Sequence, residues 1–156
     1  IGNWPYINHP WEFTLPFNDD KSDFIKEFVG SKALLNTDYN YHTYPFAGSD
    51  LRKVNAEDAE VVDENDNVIG SVLTCATDVG AGWADGKIYS LTSPSDSGKP
   101  KDFNPKGIRC GFIHVNQKLN TGDKVYLKAK KRKLDAIIVD DIRPHRTARK
   151  KITSMP

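Results

Sequence analysis

VIGSVLTCATD (68–78), KIYSLTSP (87–94), GIRCGFIHV (107–115) and GDKVYLKAKKRKLDAIIVDDIRPHRTAR (122–149) are the stretches on which the fold turns. In the first, Val68, Gly70, Val72, Thr74 and Ala76 alternate with Ile69, Ser71, Leu73 and Cys75, and both faces are fairly apolar. Strands apolar on both faces belong inside a barrel or sandwich. AEVVDENDNVIGSVLTCATD (59–78) predicts two strands joined by a tight turn at Glu64-Asn65-Asp66-Asn67. KVYLKAKKRKLDAIIVDDI (124–142) predicts a hairpin turning near Lys131-Arg132. Strands this short, at intervals of about 10–15 residues, predict a mainly β protein built on a small, jelly-roll-like barrel. Gly70 and Gly111 fall mid-strand, where glycine weakens a sheet unless a bend or a close backbone approach requires it. Barrel corners supply that requirement.

Outward from this core the composition changes near residue 51. Residues 1–50 are expected to form a short α+β segment and residues 51–156 the barrel domain. WEFTLPF (11–17) alternates at Trp11, Phe13, Leu15 and Phe17, as a strand buried on one face does. In SDFIKEFVGSKALLN (22–36) the spacing of Phe24, Ile25, Phe28, Val29, Ala33 and Leu34 predicts short helical turns divided at Gly30. Ser22 and Asp23 are the expected caps. NTDYNYHTYPFAGSD (36–50) lacks periodicity and reads as a loop. VGAGWADG (79–86) reads as a glycine-rich turn, and PSDSGKPKDFNPKG (94–107) as a long exposed loop.

The 156 residues carry a net charge of +1, which is not that of a generally cationic nucleic-acid binder. The charge is unevenly placed. From residue 121 onward eleven Lys/Arg face four Asp, a net of +7, so the first 120 residues carry −6. Such asymmetry suits a basic end that meets an anionic ligand or an acidic surface. No stretch approaches the ~18 apolar residues that span a bilayer. Cys75 and Cys110 are far apart in apolar strand patterns and are expected to be free thiols of a reducing cytosol. With no CxxC or Cys/His cluster, no metal site is expected. The chain begins at Ile1 and its only methionine is Met155, which reads as a piece of a longer protein.

Chemistry-bearing residues are few. His9, His42, His114 and His145 have no fixed mutual spacing, and His114 sits in a strand pattern that suits a structural role. Asp140-Asp141 could form an acid pair, or could pair with the arginines that follow. DIRPHRTAR (141–149) is the strongest local candidate: Pro144 stiffens the exit from the last strand, and Arg143, Arg146 and Arg149 follow within seven residues. Guanidinium groups bind carboxylates and phosphates bidentately.

The wording and order of these pieces resemble the C-terminal part of the glycine-cleavage T-protein (aminomethyltransferase) superfamily, which includes tetrahydrofolate-dependent demethylases. WEFTLPF…FVGSKAL (11–17 and 28–34) is similar to the segment that closes that family's folate-binding core. VIGSVLTCA, GIRCGFIHV, GDKVYLKA and DAIIVDDIRP are similar, in order, to the strands of its C-terminal barrel. The resemblance implies that residues 1–50 complete a folate-binding α/β domain lying mostly outside this chain. It implies tetrahydrofolate as cofactor, with Trp11 matching the tryptophan of the closing segment. The family's late arginine falls within Arg143–Arg149, Arg146 before Arg143 or Arg149. It implies no catalytic residue here, because the family's aspartate belongs to the first domain, and so an inactive isolated chain. Asp-Ile-Arg-Pro replaces the family's terminal Pro-Phe-Val, and the stretch 76–106 is longer than in a plain T-protein, which favours a demethylase-like relative. The implied partners are the N-terminal domains of a parent enzyme and a small methyl or aminomethyl donor, in the cytoplasm and without a membrane. The alternative is a β-barrel binding module touching nucleic acid through KAKKRK (128–133) and RPHRTARKK (143–151), although Tyr126 is the only nearby ring for base stacking.

Overall fold

Alternating apolar side chains over β3 (Val68–Asp78) and β6 (Ile108–Val115) give each strand one face that must be covered, and the sheet covers it by closing on itself. The computed structural model describes residues 15–20, 22–36 and 40–143. The other barrel strands are β1 (His42–Gly48), β2 (Glu60–Val62), β7 (Lys124–Ala129) and β8 (Arg132–Ile138). Their order is β1-β6-β3-β2-β7-β8, every pair antiparallel, and β8 closes onto β1 through Phe46↔Ile138 and Ala47↔Ile137. The small β-barrel expected from the strand pattern is therefore present, and closed. β4 (Ala81–Ala84) and β5 (Lys87–Ser90) form a separate hairpin.

The barrel interior is filled by Phe46, Val61, Val72, Ile113, Leu127, Ile138 and their neighbours. Burying each such side chain contributes about 1.5–3 kcal/mol. A second cluster of Ala47, Ala81, Ile88, Ile108, Cys110 and Val139 lies where the β4–β5 hairpin packs on the outer wall. Cys75 packs against the first cluster and Cys110 belongs to the second, so the two free thiols face opposite sides of the wall. Burial pushes the Cys110 thiol above its ordinary pKa, with a smaller push from Asp78.

Several expectations are corrected. Residues 36–50 are not one loop, because His42–Gly48 is the first barrel strand. The strand is hidden in the sequence because Pro45 interrupts it and Pro45 to Gly48 are buried without alternation. The barrel therefore begins ahead of the expected boundary at residue 51. VGAGWADG is not merely a turn: Ala81–Ala84 is a strand, and Asp85-Gly86 make the turn with φ of 49° and 73°. KIYS joins this hairpin and not the barrel. PSDSGKPKDFNPKG remains a loop, with one 3-10 turn at Ser95–Ser97.

Ahead of the barrel, Gly30 does mark a division, and α1 (Ser31–Asn36) follows it. The helical turn expected over residues 22–29 is absent. Asn18 Oδ1 accepts from the Asp23 amide at 3.1 Å, and Asp20 Oδ1 accepts from the Ser22 amide at 3.1 Å and its hydroxyl at 2.7 Å. Short polar side chains thus supply the backbone with partners that a helix would have supplied. These bonds hold the Asp20 carboxyl below its ordinary pKa, the Ser22 hydroxyl being the largest cause. Phe17 and Phe24 form an isolated bridge, their rings 4.7 Å apart. The rest of the expected WEFTLPF strand, residues 11–14, lies outside the described residues.

Candidate functional site

β8 delivers the chain to the segment in which the sequence concentrates its arginines. Val139 is held to the wall by its amide, which donates to the Pro45 carbonyl at 3.1 Å. Asp141 Oδ1 then accepts from the Arg143 amide at 3.0 Å, bending the chain outward. The Arg143 guanidinium donates through Nε and Nη2 to Asp78 Oδ2 at 2.9 and 2.6 Å. Asp78 ends β3 and its other oxygen accepts from the Gly80 amide at 2.9 Å. The side chain of Arg143 thus reaches a carboxylate on a distant strand. Arg143 pins the exit. Trp11, Arg146 and Arg149 lie outside the described residues, as do Pro144, His9 and His145.

Beside this exit a cleft of about 400 Å3 opens between the β4–β5 hairpin and the end of β8. Trp83, Ile88, Tyr89, Ile137 and Val139 give it apolar walls, while Asp140, Asp141 and Lys87 add charge. The volume and the mixture are those of a small-molecule site. The hairpin wall is braced: Tyr89 meets Phe103 edge-to-face at 5.9 Å, and the Ser90 amide donates to Ser93 Oγ at 2.9 Å. The 94–107 loop lies against Gly82, where a Cβ would come within 3.1 Å of the Lys106 nitrogen.

A residue that the strand reading did not single out dominates one end of the barrel. Arg109 is fully buried. Its Nη1 donates to Asp50 Oδ1 at 2.6 Å and to the Arg52 carbonyl at 2.8 Å, and its Nη2 donates to the Asp135 carbonyl. Nε–H is buried without an acceptor. Arg109 shares the inward parity of Ile113 and Val115, and a cation at an inward position was the signal available in GIRCGFIHV. Arg52, by its side chain and then its amide, holds the Asp50 carboxyl below its ordinary pKa; Arg109 adds to this and burial opposes it.

The basic hairpin is partly neutralised. Lys128 and Lys133 approach Asp66 at 3.8 and 2.8 Å, and Lys133 lies 4.4 Å from the Tyr126 ring centre. Lys124 covers the same ring at 5.3 Å.

At the opposite end of β1, His42 and His114 gather beside Tyr41, whose ring is 4.9 Å from that of His114. Burial lowers the pKa of both, and Lys118 and then His114 lower that of His42 further. Both imidazoles bind a proton less readily folded than unfolded. Their contribution to stability is thus complete above the ordinary value of about 6.5 and is lost as pH falls through the lowered one. The thermal midpoint is expected to decline between pH 7.5 and 5.5, and a His42→Gln/His114→Gln variant to decline less. Equal slopes by calorimetry would exclude these histidines as the cause.

Among the described residues no group of three His, Cys, Asp or Glu side chains is placed to hold a metal ion, and no helix is long and apolar enough to cross a membrane. Compared with protein-family models, curated proteins and solved structures, the chain finds no match in any of the three.

Proposed function

We propose that this chain is the C-terminal barrel of a tetrahydrofolate-dependent aminomethyl- or methyltransferase of the T-protein or demethylase type. The observation that carries the reading is the placement of the resembling motifs. VIGSVLTCA, GIRCGFIHV, GDKVYLKA and DAIIVDD supply β3, β6, β7 and β8, the main walls of one barrel. Just past the last motif, Arg143 is fixed to Asp78, beside the apolar cleft that Asp140 and Asp141 help to line.

Tetrahydrofolate would supply N5 as acceptor of the one-carbon unit. This chain's part is binding and orientation. Arg146 and Arg149 would hold carboxylates of the cofactor's tail bidentately, and Trp11 would offer a flat apolar face to its ring. Arg143, its guanidinium on Asp78, would serve as an anchor ahead of those two. A tryptophan and arginines are residue types suited to a ligand with a flat ring and an anionic tail. Proton transfer would fall to the N-terminal domains of the parent enzyme, which act with this chain on a small methyl or aminomethyl donor in the cytoplasm.

The test is a tetrahydrofolate titration, by calorimetry, of the full reading frame carrying this segment. Wild-type protein is expected to bind, and Arg146→Ala and Trp11→Ala to weaken binding at least tenfold. Absence of binding, or unchanged affinity and turnover in both variants, overturns the reading.

A further inference from the structure

The tip of the β7–β8 hairpin faces the segment that precedes the 3-10 turn at Ala56–Asp58, and a notch of about 440 Å3 lies between them. Lys53, Lys130, Lys131 and Arg132 line it, with Asp58 as its one carboxylate. Its two walls are tied together by Arg132 Nη1, which donates to the Lys53 carbonyl at 3.2 Å. Asp58 stands 3.9 Å from Lys130 in an exposed pair, and Asn55 Nδ2 also donates to it at 3.3 Å. Among the described residues, neither Lys53 nor Lys131 has a carboxylate within ion-pair reach. Further along the same hairpin, Lys128 and Lys133 share Asp66. The lysines on the body of the hairpin thus have a carboxylate partner, which Lys53 and Lys131 at the tip lack.

The backbone adds an independent observation. Ala129 pairs with Arg132, so Lys130 and Lys131 are the whole loop, and Lys130 holds a φ of 52°. Two-residue hairpin loops favour Asn-Gly or Asp-Gly, because an L side chain is strained at positive φ. Here the corner is built from two lysines, one of them in the left-handed region. Strain retained in this way points to a ligand.

We propose that the notch binds a compact polyanion, a diphosphate-like or multiply carboxylated group held by Lys53, Lys131 and Arg132. No aromatic ring lines it to stack a base. The site is separate from the Arg143 exit and does not depend on the folate reading.

The test uses backbone amide NMR of the chain in low salt, titrated in parallel with sodium pyrophosphate, tri-glutamate and a twelve-nucleotide single-stranded RNA. Pyrophosphate or tri-glutamate is expected to saturate one site, with shifts confined to residues 53–58 and 129–132. Whichever saturates identifies the anion as phosphate or carboxylate. Lys53→Ala and Lys131→Ala should each weaken it at least tenfold, and Lys128→Ala, whose lysine is paired with Asp66, less than twofold. Saturation by RNA alone, no saturation by either small anion, or equal weakening by Lys128→Ala overturns the proposal.

Discussion

Gly111→Ala is expected to destabilise the protein by about 4 kcal/mol or more, a loss that leaves little of the ~5–15 kcal/mol by which ordinary domains are stable. Gly111 sits in β6 between Phe46 of β1 and Cys75 of β3. The register of β3 against β6 shifts between Val72 and Thr74, which bends the wall there. At that bend the Thr74 hydroxyl accepts from the Phe112 amide at 3.1 Å. A Cβ on residue 111 would overlap the Thr74 carbonyl oxygen, lie 2.7 Å from its carbon and 3.1 Å from Phe46 Cε1. Two of these three neighbours are backbone, so no rotamer change relieves the clash. The strands must part where the barrel turns.

Gly86→Ala is the matched control. Gly86 has a φ of 73° with nothing within 4 Å of the added carbon, so only conformational strain of about 1 kcal/mol is expected. Urea denaturation of the two variants checks the contrast. Equal midpoints would show that the corner yields and that close approach is not what requires glycine at 111.

Arg109→Met is expected to cost about 3 kcal/mol, the low end of the ~3–5 kcal/mol for breaking a buried ion pair. The low end applies because the two carboxylates near the guanidinium, Asp50 and Asp135, are each about a third exposed and can rehydrate. The carbonyls of Arg52 and Asp135, which accept from the guanidinium, lose that donor. Arg109→Lys should lose about half as much, since one ammonium cannot span both carbonyls and Asp50 as the planar fork does. The site is cut to fit the fork: at Gly48, paired with Arg109 across β1 and β6, a Cβ would lie 2.6 Å from the guanidinium carbon. Gly48→Ala should therefore destabilise strongly when Arg109 is present and much less in the Arg109→Met background, a coupling that a double-mutant cycle measures. Additive losses would separate the two residues.

The strands legible in the sequence are those with one clear apolar period and a turn on each side. β3, β6, β7 and β8 meet that condition, and their hairpin turns fall at Asp63–Asn67 and Lys130-Lys131, within a residue or two of expectation. Gly70 was legible for the same reason as Gly111: a Cβ there would lie 2.8 Å from Val115 Cα. β1 was not legible, because Ala47 is covered by the hairpin outside while Phe46 fills the barrel inside, which erases the period. Among the arginines marked by their sequence neighbourhood, Arg143 is the described one, and it is taken up in an ion pair. Its partner Asp78 is 65 residues away and carries no local mark.

Sequence alone determined that this chain closes a small β-barrel, because period-two burial and turn chemistry act between residues a few positions apart. It also determined that the barrel ends in a concentrated run of arginines. Tertiary structure alone decided that β1 joins the barrel, that KIYS leaves it, and that Arg109, Gly48, Asp50 and Asp135 meet at one end. It also decided that Arg143 is pinned to Asp78. Those facts depend on which distant surfaces come into contact, and contact across the chain has no period to be read.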